Sequence, residues 1–294
     1  MRFLVTGAAG FLGSRFTALL RDRGHDVVPV VRPHGRTRAA EHDPDAVPVD
    51  AADPAARELI AGCDAVLHFA GVPDPGTARA NPGAAIRLNV ATTLNLLDGC
   101  QAHGAGLIYP STVRAAAQPP PDAYAFSKWL GEEACRLHTA RATVVRLTSV
   151  FGPGQVTWEG ATGAIAAFAA RAIEGQAIVI PGNPERARDF VYVDDVVPVF
   201  ERIVADARWN ESLTLASGAS TPLIRAAELA RSAARSTSSI STPGGDLPAG
   251  ENESYAAGAT SPGLDFSPRP LEQAVESYVD WLSRHPAAKE RARA

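Results

Sequence analysis

The chain has 294 residues, 46% of them apolar and 20% charged, with a formal net charge of −4. These amounts suit one large or two modest globular domains and exclude wholesale disorder. No apolar run approaches the ~20 residues of a membrane span, and the opening segment is too short for a signal peptide, so a cytoplasmic protein without a membrane partner is expected. Cys63, Cys100 and Cys135 are odd in number and widely spaced, which argues against a disulfide framework or a cysteine-based metal site. The acidic balance argues against nucleic acid as a partner.

In chain order, strands are expected at 2–6, 27–31, 47–49, 65–69, 106–109 and 143–147. Their near-continuous apolar character is that of strands covered on both faces. Helices are expected between them at 11–23, 54–61, 82–102 and 122–139, several opening on Asp, Asn or Pro. The alternation predicts an α/β fold, a Rossmann-type doubly wound parallel sheet whose ligand edge gathers the loops after the strands. Beyond Gly152 the rhythm changes to a helix at 161–174, a strand at 177–180, an Arg-rich loop and a helix from Asp194. The expected organisation is a dinucleotide-binding domain over 1–150, to which 190–206 returns, and a smaller substrate-binding lobe over 151–189 and 207–286. Residues 231–263, rich in Ser, Ala, Thr, Gly and Pro, read as loop with room for one short pairing strand. The helix at 270–283 presents Leu271, Val275, Val279 and Leu282 on one face, and 287–294 is expected to fray.

The sequence Thr6-Gly7-Ala8-Ala9-Gly10-Phe11-Leu12-Gly13 follows the first strand and opens a helix. There Gly7 permits a tight turn, Gly10 lets a pyrophosphate approach the backbone, and Gly13 lets helix pack closely on sheet. The N–H groups around Phe11 and Leu12 face the phosphates. At the end of the second strand, where an NAD site places a carboxylate on the ribose, stands Arg32, with Arg36 and Arg38 close behind. A cation there suits a 2′-phosphate, so NADP(H) is favoured, with NAD(H) the alternative.

Tyr124 and Lys128 are spaced i, i+4 and share a helix face. A phenol, with a pKa near 10, needs a nearby cation to exchange protons at neutral pH, and Lys128 is the expected cation. Ser111 and Thr112 end the fifth strand at the ligand edge, where a hydroxyl can bond the substrate oxygen that Tyr124 serves.

With these motifs the chain resembles the extended short-chain dehydrogenase/reductases, the nucleotide-sugar epimerase/dehydratase family. Asp50-Ala51, His68-Phe69-Ala70-Gly71, Asn89 through Leu97, Arg146 through Gly154 and Arg188 through Asp195 extend the resemblance over residues 1 to about 200. It implies that Asp50 and Ala51 contact adenine, that Phe69, Ala70 and Gly71 flank the cofactor, and that Lys128 also holds the nicotinamide ribose. It further implies Thr112 as the catalytic hydroxyl and Arg188 on the substrate diphosphate, a role suited to a bidentate guanidinium. Ser149 stands at the family's substrate-side Asn, and Ser111 is a further substrate contact. Asp194 and Asp195 are expected to cap a helix.

Departures narrow the reaction. The Asp-Glu pair that follows Ser-Thr in 4,6-dehydratases is replaced by Val113-Arg114, and the Cys and His of 3,5-epimerase-reductases have no counterpart. The remaining Thr112, Tyr124 and Lys128 suit NADPH-dependent reduction of a keto-sugar. A C4 epimerase that retains NAD is the alternative, and a non-catalytic NADP-binding sensor a third reading. Helices 82–102 and 122–139 resemble the family's dimer-forming pair, so a homodimer is expected.

Overall fold

The computed structural model describes residues 1–33, 43–160, 162–247, 251, 254 and 258–291. It divides into two compact units: Met1–Leu147 with Val196–Leu215 and Ser261–Asp265, and Thr148–Asp195 with Ala216–Thr260 and Phe266–Ala294. The segments returning to the first unit are thus Val196–Leu215 and Ser261–Asp265, where the sequence reading places 190–206.

The first unit is built on strands β1 (Arg2–Thr6), β2 (Asp26–Val31), β3 (Val47–Pro48), β4 (Ala65–His68), β5 (Gly106–Thr112) and β6 (Ala142–Leu147). With Ser212–Leu215 they form a seven-stranded sheet in the order Ser212–Leu215, β6, β5, β4, β1, β2, β3. Every pairing in it is parallel. Helices α1 (Phe11–Asp22), α2 (Ala55–Glu58), α3 (Pro75–Ala80), α4 (Pro82–His103) and α5 (Ala123–Leu137) connect the strands. Phe3, Leu4 and Val5 have no exposed surface, and burying each stabilises the fold by about 1.5–3 kcal/mol relative to exposure. The sheet reverses its order between β1 and β4, where Thr6 lies opposite His68. Such a switch point opens a crevice at the carboxyl ends of the strands.

Local chemistry fixes the helix ends nearest the site. Asn81 accepts from the Ala84 N–H and precedes Pro82, which suits a first helical position, and Gly104 ends α4 at φ 70°. Asp122 accepts from the Ala125 N–H and starts α5. The strand Ser212–Leu215 escaped the sequence reading because it is an edge strand. Only Leu213 and Leu215 are buried, so its pattern alternates instead of running apolar.

In the second unit Phe151 meets Phe190, Tyr192 and Tyr278 edge-on, with centroids 6.2, 5.6 and 6.0 Å away. Tyr278 lies on the helix Leu271–Arg284, whose buried face also holds Val275, Val279 and Leu282. The 231–263 segment contains a strand, Ile240–Gly244, that pairs in parallel with Ile178–Pro181. The expected fray over 287–294 is corrected for 287–291: Pro286–Arg291 is helical, and Arg291 reaches Glu174 at 3.1 Å. Asp195 is also corrected from the expected cap. Its carboxylate accepts from Nε and Nη2 of Arg269 at 2.9 and 2.6 Å and from the Arg269 N–H at 3.0 Å, a pairing across 74 residues. Among the described residues no helix is long and apolar enough to cross a membrane, and no three His, Cys, Asp or Glu are grouped to hold a metal.

Candidate active site

The glycine loop turns at the switch point. Gly7, at φ 66°, approaches the next loop so closely that a Cβ would stand 2.7 Å from the Ala70 nitrogen. A Cβ on Gly13 would stand 2.2 Å from the Gly7 carbonyl oxygen, so Gly13 is required for α1 to start directly over the turn. Gly10 differs: its added Cβ would meet only the Gly7 oxygen, at 3.3 Å. Gly10 is the N-cap of α1 and brings no capping side chain, which leaves the first-turn N–H groups at Phe11, Leu12 and Gly13 suited to an anion. Gly7 and Gly13 thus let strand, turn and helix meet backbone to backbone, and the open position at Gly10 beside an uncapped helix start fits a dinucleotide pyrophosphate.

Beside it, Phe69 packs on Phe16 at 4.6 Å between centroids. Gly71, at φ 141°, lies where a Cβ would be 2.5 Å from Asn89 Oδ1, because that oxygen accepts from the Val72 N–H at 2.7 Å. Asn89 Nδ2 donates to Ser127 Oγ at 2.8 Å, and that hydroxyl donates to the Tyr124 carbonyl at 2.8 Å. The chain Val72, Asn89, Ser127, Tyr124 ties the Phe69–Ala70–Gly71 loop to α5. At the other end of the crevice, Asp50 Oδ1 accepts from the Ala52 N–H at 2.9 Å, and the buried Ala51 offers its carbonyl to Asn95 Nδ2 at 2.9 Å. Arg32 follows β2 with its Nε 3.9 Å from Asp50 Oδ2, both side chains about half exposed (55% and 45%). Arg36 and Arg38 lie outside the described residues.

The hydroxyls closing β5 part company. Adjacent strand residues face opposite ways, and Ser111 falls on the side of Tyr109, facing α5. Its Oγ donates to Glu132 Oε1 at 2.5 Å, and the same carboxylate takes Nε and Nη2 of Arg146 at 2.9 and 2.5 Å. Ser111 is therefore engaged in a buried ionic network that its residue type alone did not announce. Thr112 caps the following 3-10 turn, accepting from the Arg114 N–H at 3.3 Å.

Tyr124 and Lys128 lie one turn apart on α5. Lys128 Nζ donates to the Pro110 carbonyl at 2.8 Å and sits 4.8 Å from the centroid of the Tyr109 ring. Burial pulls its ammonium down to about 8, against smaller opposing contributions from Cys135 and Glu132. Burial pushes the Tyr124 phenol up to about 12; Arg114 holds it down, and Asp122 and Asp74 raise it further. The cation that eases Tyr124 is Arg114, where the spacing pointed to Lys128. A phenol in this state is protonated throughout the neutral range.

Ser149 and Arg188 belong to the second unit. Ser149 opens a short strand opposite Phe190. Arg188 donates to the carbonyls of Ala187 and Glu251 at 2.8 and 3.1 Å.

Residues 3–213 match the NAD dependent epimerase/dehydratase family. The chain belongs to this family of enzymes, within the extended short-chain dehydrogenase/reductases, which comprises nucleotide-sugar epimerases, dehydratases and reductases. Among its curated relatives, the dTDP-4-dehydro-6-deoxy-D-allose reductase of Streptomyces bikiniensis is 26% identical, over 96% of each chain. The UDP-glucuronic acid decarboxylase 1 of Xenopus tropicalis is 27% identical over 67% of this chain, and the match spans only 52% of that enzyme. Among solved structures, the UDP-glucose 4-epimerase of Thermotoga maritima, with UDP-glucose, superposes at a TM-score of 0.84 with 23% identity, covering 97% of this chain and 99% of its own. RMD of Pseudomonas aeruginosa, complexed with NADPH, gives 0.77 at 23% identity with the same coverage.

Proposed function

We propose that this protein is a cytoplasmic ketoreductase that uses NADPH to reduce a keto group on a nucleoside-diphosphate sugar. The observation that carries this reading is the proton inventory beside Thr112. Val113 and Arg114 bring no carboxyl group to move protons between sugar carbons, and the Tyr124 phenol is held protonated. Reduction needs a donor in that state, because the ketone oxygen becomes an alkoxide far more basic than any phenolate. The similarity to the Streptomyces reductase along nearly the whole chain supports the same direction.

Gly7, Gly10 and the N–H groups of Phe11, Leu12 and Gly13 would hold the pyrophosphate. Arg32, Asp50 and Ala51 would hold the adenosine end, and Phe69, Ala70, Gly71, Tyr124 and Lys128 the nicotinamide riboside. Bound there, the cofactor supplies a hydride. Tyr124 donates the proton to the carbonyl oxygen, Thr112 hydrogen-bonds that oxygen, and Lys128 keeps a positive charge behind the phenol. Arg188 binds the diphosphate, with Ser149 as a further substrate contact; Ser111, expected beside it, is instead held in the buried network with Glu132 and Arg146. Leu94 on α4 and Phe126 on α5 are 43% and 36% exposed, and these apolar residues support a homodimer built on those helices.

A second reading, a C4 epimerase with retained NAD, draws on Asp50, whose carboxylate near Arg32 offsets the charge a 2′-phosphate would use. A panel of nucleoside-diphosphate 4-keto-sugars, followed by NADPH absorbance and product NMR, separates the two. Net NADPH consumption with a hydroxylated product supports reduction. Tightly held NAD released on denaturation, with isomerisation and no net consumption, supports epimerisation.

A further inference from the structure

The end of β5 and the start of α5 are joined by an ion pair that the Tyr-x-x-x-Lys spacing does not require. Arg114 lies in the 3-10 turn Val113–Ala116. Its backbone N–H donates to Thr112 Oγ1 at 3.3 Å, and its guanidinium donates to Asp122 Oδ2. Asp122 in turn starts α5: Oδ1 accepts from the Ala125 N–H at 2.9 Å, and its carbonyl accepts from the Phe126 N–H at 2.9 Å. Tyr124 is the second residue of that helix. Both side chains of the pair are largely buried, at 13% and 16% exposed, so the interaction is shielded from salt and water. One residue thus touches the Thr112 hydroxyl through its backbone and the cap of the Tyr124 helix through its side chain.

We propose that Arg114 and Asp122 are positioning residues, a clamp that fixes the Tyr124 helix relative to the Thr112 hydroxyl and sets the electrostatic field at the phenol. The clamp rests on the reading of Tyr124 as proton donor. It gives Arg114 a task of its own, beyond marking where a dehydratase carboxylate is missing. The charged and titratable groups acting on the phenol are Arg114 and Asp122 from its N-terminal side, Asp74 from the segment before α3, and Tyr109 from β5; Lys128, one turn on along its own helix, donates to the Pro110 carbonyl. Arg114 favours the phenolate, and Asp122 opposes it. Removing either charge must therefore move Tyr124 in opposite directions.

The test is a titration of the full-length protein labelled with [13Cζ]tyrosine, between pH 8 and 11.5, with circular dichroism at each point to verify the fold. The chain has five tyrosines, and Tyr124→Phe identifies the signal. With the phenol at about 12, about one tenth is ionised at pH 11. A charge partner in such surroundings is worth about one pH unit. Asp122→Asn, which keeps a capping side chain, is expected to raise the ionised fraction roughly five-fold. Arg114→Gln is expected to lower it roughly ten-fold, and Arg114→Lys to restore most of the wild-type value. A merely structural pair behaves differently: either loss lets water in, and both variants move down toward ~10. Shifts of the same sign, or no shift, overturn the clamp. Should Arg114→Gln fail to fold, the paired results of Asp122→Asn and Arg114→Lys decide on the same criterion. Turnover of Tyr124→Phe tests the underlying reading separately, since an active Tyr124→Phe removes Tyr124 as donor whatever the titration shows.

Discussion

Lowering the pH from 7 to 5 destabilises this fold through His68. The ring is 1% exposed at the end of β4, with Nδ1 3.0 Å from Thr6 Oγ1 and Nε2 3.2 Å from Thr93 Oγ1. Thr93 Oγ1 donates to the Asn89 carbonyl at 2.7 Å, and Thr6 Oγ1 accepts from the Ala70 N–H at 3.2 Å. Because the Thr93 hydroxyl donates to Asn89, Nε2–H donates to Thr93, and in the neutral ring Nδ1 accepts from the Thr6 hydroxyl. Burial, aided by the charge of Lys128, holds the imidazole neutral, with its pKa down from 6.5 to about 3. The folded pKa is the lower one, so the unfolded chain binds more protons between these values and stability falls as pH drops. At 1.36 kcal/mol per pH unit, the loss between pH 7 and 5 is about 2 kcal/mol, a large share of the ~5–15 kcal/mol that hold a domain. Urea unfolding of wild type and His68→Gln at both pH values measures it, the other histidines cancelling in the difference. The wild type should lose about 2 kcal/mol more than the variant; equal losses refute the buried neutral tautomer.

Gly13→Ala places a Cβ 2.2 Å from the Gly7 oxygen. Melting should report about 1–3 kcal/mol of overpacking strain, and equilibrium dialysis a weakened affinity for NADPH. Glu132→Ala strands the guanidinium of Arg146, whose side chain is 28% exposed; urea unfolding should show a cost of about 3 kcal/mol, with little loss contradicting the buried network. Leu94→Glu with Phe126→Glu should convert a dimer to monomer in light scattering at micromolar concentration; an unchanged mass places any interface elsewhere.

How much could be read from the residues follows from the range of the interactions. The central strands are legible because each is a run of apolar residues buried on both faces. The glycine loop is legible because its turn, helix start and helix packing are encoded within eight residues. The fate of Ser111 was harder to see. The pleat assigns it and Thr112 to opposite faces, and only the fold reveals that the face of Ser111 holds Glu132, 21 residues on. Asp195 illustrates the same limit, since a local cap and a partner 74 residues away look alike in one dimension. Arg114 carried a local signal, but that signal named only what was missing.

Tyr124 and Lys128, one turn apart on α5, are shifted by one cause in opposite senses. Burial drives Tyr124 up and Lys128 down, so each is pressed toward its neutral form. Lys128 at about 8 still keeps its charge at neutral pH, and it spends a hydrogen bond on the Pro110 carbonyl. Arg114 is the side chain whose charge burial cannot remove at any working pH, and Asp122 limits how far that charge acts on Tyr124. Burial therefore holds the phenol protonated while it weakens the charge on Lys128, which leaves Arg114 as the fixed cation acting on Tyr124. The pair at 114 and 122 thus bears on the proton affinity of Tyr124 from both sides, Arg114 favouring the phenolate and Asp122 the phenol.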